Sequence, residues 1–160
     1  MTAVLTVECE NLPATERLGR RLGAVLRNGD VLALVGPLGS GKTTLTKGIA
    51  AGAGVVDLRQ VNSPTFVIVN EYEAPREPEP LHIYHIDVYR LRGSGDLDAI
   101  GFDEMCRGGA VIVEWADRVA DLLPEDCLTV TIEPTGDESR RITCSADGPS
   151  AAQLLVGLQS

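Results

Sequence analysis

The stretch Val31-Leu32-Ala33-Leu34-Val35-Gly36-Pro37-Leu38-Gly39-Ser40-Gly41-Lys42-Thr43 decides the fold. Its first five residues are an unbroken apolar run, the pattern of a strand buried on both faces. Its last eight match G-x-x-x-x-G-K-[ST]. From Lys42 to Ala51, Leu45 and Ile49 stand four apart before Gly52 and Gly54 end the segment, which predicts a helix with a glycine stop. Strand, glycine loop and helix in that order are the context that turns the pattern into a phosphate site. A shuffled chain of this composition would match the eight residues about 0.2% of the time.

The residue types have physical reasons. Glycines at 36, 39 and 41 let the backbone turn with its N–H groups facing inward as an anion nest, helped by Ser40, and the following helix N-terminus at Lys42 to Thr44 adds positive dipole. Lys42 brings a point charge to the β- and γ-phosphates, and Thr43 offers a hydroxyl to Mg²⁺. A guanine-specific Asn-Lys-x-Asp strand end is missing, because the only other lysine is Lys47, followed by Gly48 and Ile49. ATP is therefore expected over GTP.

Outward from the loop, Leu18, Leu22, Val25 and Leu26 recur at helical spacing within 14–26, with Thr15 as the expected N-cap. Phe66 to Tyr72 and Leu81 to Val88 read as strands, joined by an exposed connection with three prolines over 74–80. Ala110 to Val113 is a further buried strand, and Ala116 to Leu123 is a short helix ended by Pro124. Cys127 to Glu133 and Arg140 to Cys144 form an antiparallel pair around Gly136, and Ser150 to Leu158 a weak helix, with 150–160 as a tail. Early strand-to-helix alternation followed by hairpins predicts an α/β protein, a mixed β-sheet with helices on its faces, in one domain over 1–160.

Composition removes several function classes. The chain of 160 residues has 44% apolar and 23% charged residues, a globular balance. Its net charge is -9, with 7 basic against 5 acidic residues up to position 60 and 7 against 18 beyond it. No basic footprint exists outside the first third, so strong direct nucleic-acid binding by the isolated chain is not expected. Met1 to Glu10 lacks the basic and long apolar regions of a secretory signal, and the longest uncharged apolar run, Val31 to Pro37, is too short for a membrane span. A cytoplasmic protein without membrane contact is expected, with free thiols at Cys9, Cys106, Cys127 and Cys144 favoured over a disulfide pair.

A phosphate loop of this kind needs an acidic group at a neighbouring strand end to hold Mg²⁺, and a carboxylate to position water. Asp87 closes the strand from Leu81, and Glu114 closes the strand from Ala110. Ser63-Pro64-Thr65 reads equally as a switch sensing the γ-phosphate or as a proline turn. His82 and His85 stand three apart on a strand, hence on opposite faces, and read as structural rather than as a metal pair. Trp115 has three readings, core, base-stacking platform or partner contact, with core the default.

Four segments together, Gly36 to Thr44, Asn62-Ser63-Pro64-Thr65-Phe66 with Asn70-Glu71-Tyr72, His85-Ile86-Asp87-Val88-Tyr89-Arg90-Leu91, and Val113-Glu114-Trp115, resemble the TsaE family, also called YjeE. The resemblance spans about residues 10 to 135. It implies a small P-loop NTPase-like fold and an ATPase that works with TsaB and TsaD proteins in bacterial synthesis of threonylcarbamoyladenosine on tRNA. It implies that Lys42 and Thr43 bind phosphate and Mg²⁺, that Asp87 helps hold Mg²⁺, that Glu114 and Trp115 belong to the active centre, and that Ser63 and Thr65 are a switch. The proline-rich stretch 74–80 is longer than the hairpin common in that family.

The expectation is thus an ATP hydrolase with ATP and Mg²⁺ as its ligands and TsaB-like and TsaD-like proteins as its partners. The nucleotide contacts fall to Gly36, Gly39, Ser40, Gly41, Lys42, Thr43, Thr44, Ser63, Thr65 and Trp115, the metal to Thr43, Asp87 and Glu114, and catalysis to Glu114 and Lys42. Two alternatives use the same loop: a small-molecule kinase with Arg90 or Arg92 on the transferring phosphoryl group, and a nucleotide-gated binding module with negligible catalysis.

Overall fold

The structure, a computed structural model, describes residues 3–37, 39–56, 69–88 and 100–159. Seven strands, β1 (Ala3–Cys9), β2 (Val31–Val35), β3 (Val69–Ala74), β4 (Leu81–Asp87), β5 (Ala110–Glu114), β6 (Cys127–Pro134) and β7 (Arg140–Asp147), form one sheet in the order β1-β7-β6-β2-β5-β4-β3. β2, β4, β5 and β6 run parallel, and β1, β3 and β7 join antiparallel. The strand leading to the glycine loop is therefore central, with β6 on one side and β5 on the other.

Alternation along the central strands sends side chains into two cores. Leu32 and Leu34 of β2 and Ile112 of β5 face α1 (Leu12–Val25), α2 (Lys42–Ala53) and α4 (Pro149–Gln159). Val31, Ala33, Val111 and Val113 face the opposite core, with α3 (Phe102–Gly108) and a 3-10 segment over Ala116–Leu122. Burial on both faces is what the apolar runs require. Pro149 to Gln159 is helical, with Leu154, Leu155 and Leu158 buried.

Three features depart from the sequence reading. Helix α1 starts at Leu12 and is capped by Asn11, whose side-chain oxygen accepts from the Ala14 N–H at 2.9 Å, so Thr15 is not the cap. Asn is a strong capping residue and Pro13 fits the first turn, whereas Thr15 falls on the buried stripe with Leu18 and Leu22. β1 and α3 are additional elements.

Helices α1 and α2 meet backbone to backbone. A methyl at Gly19 would lie 2.5 Å from the Leu45 carbonyl oxygen, and methyls at Gly23, Gly48 and Gly52 would meet the backbones of Ile49, Glu16 and Arg20. The proline-rich connection between β3 and β4 fastens their far ends: Arg76 donates to the carbonyls of Gly23 (2.8 Å), Leu26 and Ala53 (3.1 Å). A cation at two helix C-termini opposes their negative dipole ends. All four cysteines are free, and burial pushes Cys127 up to about 12 and Cys106 and Cys144 up to about 11. No helix among the described residues is long and apolar enough to cross a membrane.

Candidate active site

Because β2, β4, β5 and β6 are parallel, their carboxyl ends share one edge of the sheet, the edge where open α/β sheets place ligands. The glycine loop leaves β2 there, and register sets the two candidate acids beside it: Glu114 pairs with Leu34 of β2 and with Asp87 of β4. Two carboxylates from separate segments thus reach adjacent strand ends next to the loop.

The loop is held in its turn by close approach and by backbone conformation. A methyl at Gly36 would lie 2.7 Å from the Ile132 carbonyl oxygen, and Gly41 has φ 108, which favours glycine. Gly41 is the N-cap of α2, with no side chain capping it and no acid in the first turn. The N–H groups at Lys42, Thr43 and Thr44 are therefore placed as anion donors. Leu38 lies outside the described residues, as do Ser63 and Thr65 and the two arginines, Arg90 and Arg92, considered for a kinase.

Lys42 is 6% exposed, and among the described residues no carboxylate meets its ammonium directly. It donates to the carbonyls of Gly36 (2.5 Å) and Pro37 (3.2 Å) and lies 3.7 Å from the centroid of the Trp115 ring. Burial pushes it below the ordinary lysine range, opposed by the charges of Glu114, Asp117 and Asp87. Carbonyl and ring contacts are ones that phosphate oxygens can replace. Trp115 is half-buried over the lysine rather than enclosed in the core, and it is the one non-glycine residue with positive φ (61) among the described residues. That conformation costs about 1–2 kcal/mol and fixes the ring just past the end of β5.

Glu114 is 2% exposed and meets His85, also buried, with His85 Nε2 2.6 Å from its Oε2. His85 Nδ1 lies 3.2 Å from the Tyr72 hydroxyl. A proton on Nε2 satisfies both contacts, with the imidazole donating to the carboxylate and accepting from the phenol. His85 therefore belongs to the site, a role the sequence reading did not give it. The signal lay in its spacing from Asp87, since residues two apart on β4 share a face, rather than in its spacing from His82, which is exposed and 3.9 Å from Glu73. Arg140, at the head of β7, closes the outer side of the loop, and no sequence pattern marked it.

The donor set fits a hard divalent cation. Thr43, Asp87 and Glu114 offer oxygen, while among the described residues no group of three or more His, Cys, Asp or Glu side chains could hold a metal ion unaided. An ion here would complete its shell from water and phosphate, the manner in which Mg²⁺ is usually bound.

Fold and site together define a P-loop NTPase-like α/β protein. The family model for "Threonylcarbamoyl adenosine biosynthesis protein TsaE" matches residues 9–142. Similar proteins include the tRNA threonylcarbamoyladenosine biosynthesis protein TsaE of Bacillus subtilis, 42% identical over 86% of this chain and 83% of that one. The protein of the same name from Streptomyces coelicolor is 40% identical over 88% and 96%. The crystal structure of Bacillus subtilis YdiB superposes with a TM-score of 0.80 at 35% identity, covering 99% of this chain and 96% of that one. The chain belongs to the TsaE family.

Proposed function

We propose that this protein is an ATPase of threonylcarbamoyladenosine synthesis on tRNA, acting in the cytoplasm with TsaB-like and TsaD-like proteins. The observation that supports it best is the register pairing Glu114 with both Leu34 and Asp87, which brings two carboxylates to the strand that feeds the glycine loop. The backbone from Gly39 to Thr44 cradles the phosphates, and Lys42 exchanges its carbonyl contacts for phosphate oxygens. Thr43 and Asp87 hold Mg²⁺ directly or through water, with Glu114 at the same edge. The ion, when bound, neutralises charge on the β- and γ-phosphates. Glu114 positions or activates the attacking water, oriented by His85, and Ser63 and Thr65 sense the γ-phosphate. Turnover drives or resets the partner complex rather than forming the threonylcarbamoyl bond.

Phosphate release from MgATP, measured for the chain alone and with TsaB and TsaD, tests this reading. Stimulation by the pair, accompanied by a stable complex, is expected. No stimulation and no complex would overturn the pathway assignment, and a phosphorylated small-molecule acceptor in place of free phosphate would identify a kinase.

A further inference from the structure

Arg140 is buried, 6% exposed, and every hydrogen bond it makes goes to a backbone carbonyl. Its Nε donates to Ser40 at 2.6 Å, and its Nη2 reaches Gly39 at 3.4 Å. Its Nη1 donates to Gly136 (3.2 Å), Asp137 (3.4 Å) and Ser139 (2.8 Å) in the turn between β6 and β7. One guanidinium thus ties that turn to the outer side of the glycine loop.

Two physical consequences follow. In a trans peptide the C=O and N–H point in opposite directions. Holding the Ser40 carbonyl on Arg140 turns the Gly41 N–H away from the guanidinium, and Gly41 has φ 108. Gly39 and Ser40 stand in the same relation, with the Ser40 N–H meeting the Pro37 carbonyl at 3.1 Å. The second consequence concerns charge. Arg20, Arg27 and Arg141 meet Glu16, Asp30 and Glu8, and Arg76 sits on helix C-termini. No carboxylate among the described residues meets Arg140, and its carbonyls belong to a turn and a loop. A buried cation without a counter-charge is costly, and an anion in the loop would supply one.

We propose that Arg140 is a positioning residue for polyphosphate: it presets the peptide planes of the loop at Gly39 to Gly41 and adds a second positive charge behind them. This rests on the phosphate-binding reading of the loop. Dissociation constants for MgADP and for inorganic tripolyphosphate, measured by calorimetry on wild type, Arg140→Gln and Arg140→Lys well below their unfolding midpoints, test it. Arg140→Gln should weaken both ligands by the same factor, about tenfold or more, because the effect sits at the phosphates. Arg140→Lys, keeping the charge but not the fork, should fall between. Wild-type affinity in folded Arg140→Gln overturns the proposal. If that variant does not fold, wild-type affinity in Arg140→Lys does so. Failure of the wild type to bind either ligand would instead overturn the phosphate reading of the loop itself.

Discussion

Glu114 is a carboxylate with almost no access to water, and such a group persists only when hydrogen bonds replace its hydration. His85 supplies one at 2.6 Å and is itself steadied by Tyr72. If Glu114 positions water, Glu114→Gln should keep MgATP affinity near wild type and lower kcat by about a hundredfold or more. Unchanged turnover in steady-state phosphate release would remove Glu114 from the chemistry. His85→Ala should lower kcat by about tenfold with KM little altered, because the carboxylate remains but loses the 2.6 Å contact that orients it. A parallel loss in urea stability of about 1–3 kcal/mol is expected from the severed buried contact. Asp87 and Glu114 were legible because an acid closing a buried apolar run is visible in one dimension. His85 was obscured because its partner stands on another strand, and only the β4–β5 register puts the two together. The positive φ of Trp115 has no sequence signature at all.

At the scale of elements, the strands with unbroken apolar runs and the helix after the loop were readable, since each has its own period and punctuation. β1 was not: Val4, Thr6 and Glu8 are exposed along an edge strand, so its alternation carries little apolar weight. The glycines of α1 and α2 read as neutral residues until the helices are seen in contact. Gly23→Ala should cost about 1–3 kcal/mol in urea denaturation, because the opposing contact is the Ile49 backbone rather than a movable side chain. Gly108→Ala in α3, where nothing lies within 4 Å, should be neutral or stabilising by up to about 1 kcal/mol. Equal effects at both positions would count against backbone contact between the helices. Helix α4 is fastened at its start by a distant residue: the Asp126 carboxylate accepts from the N–H groups of Ser150 (3.1 Å) and Ala151 (3.0 Å). Desolvation raises its pKa, but the bonds from Ala151 and Ser150 and the Arg27 charge outweigh this and hold it below the ordinary aspartate range. The stabilisation is therefore present above the unfolded-state pKa and lost as pH falls through the folded one. Asp126→Ala should cost about 1 kcal/mol at pH 7. The gap to wild type should close below about pH 4 in denaturation curves, and a gap constant with pH would show that the charge is not what caps the helix.

Over the whole molecule, the basic residues divide by chemistry. With a net charge of -9 and only two lysines, the protein uses arginine forks on carbonyls, at Arg76 and Arg140, to fasten its helices and its loop, and leaves one buried lysine beside the carboxylate pair. Lys42 and the start of α2 bring positive charge to the loop, while Arg17, Arg20, Arg21, Arg27 and Lys47 are exposed on or beside α1 and α2. The net charge has a consequence for a protein whose proposed pathway ends on tRNA. Binding to a nucleic-acid backbone draws on displaced counterions, so affinity would depend on a basic face and would fall steeply with salt. Beyond residue 60 the chain carries 18 acids against 7 bases, which opposes a polyanion along most of its length. The isolated chain should therefore show no retention of tRNA in filter-binding assays at about 150 mM salt, and MgATP should not change this. Retention at micromolar protein, weakening steeply as salt is raised, would reveal a basic tRNA-binding surface despite the net charge. Retention only when TsaB and TsaD are present would place the tRNA contacts on the partners or on the assembled complex.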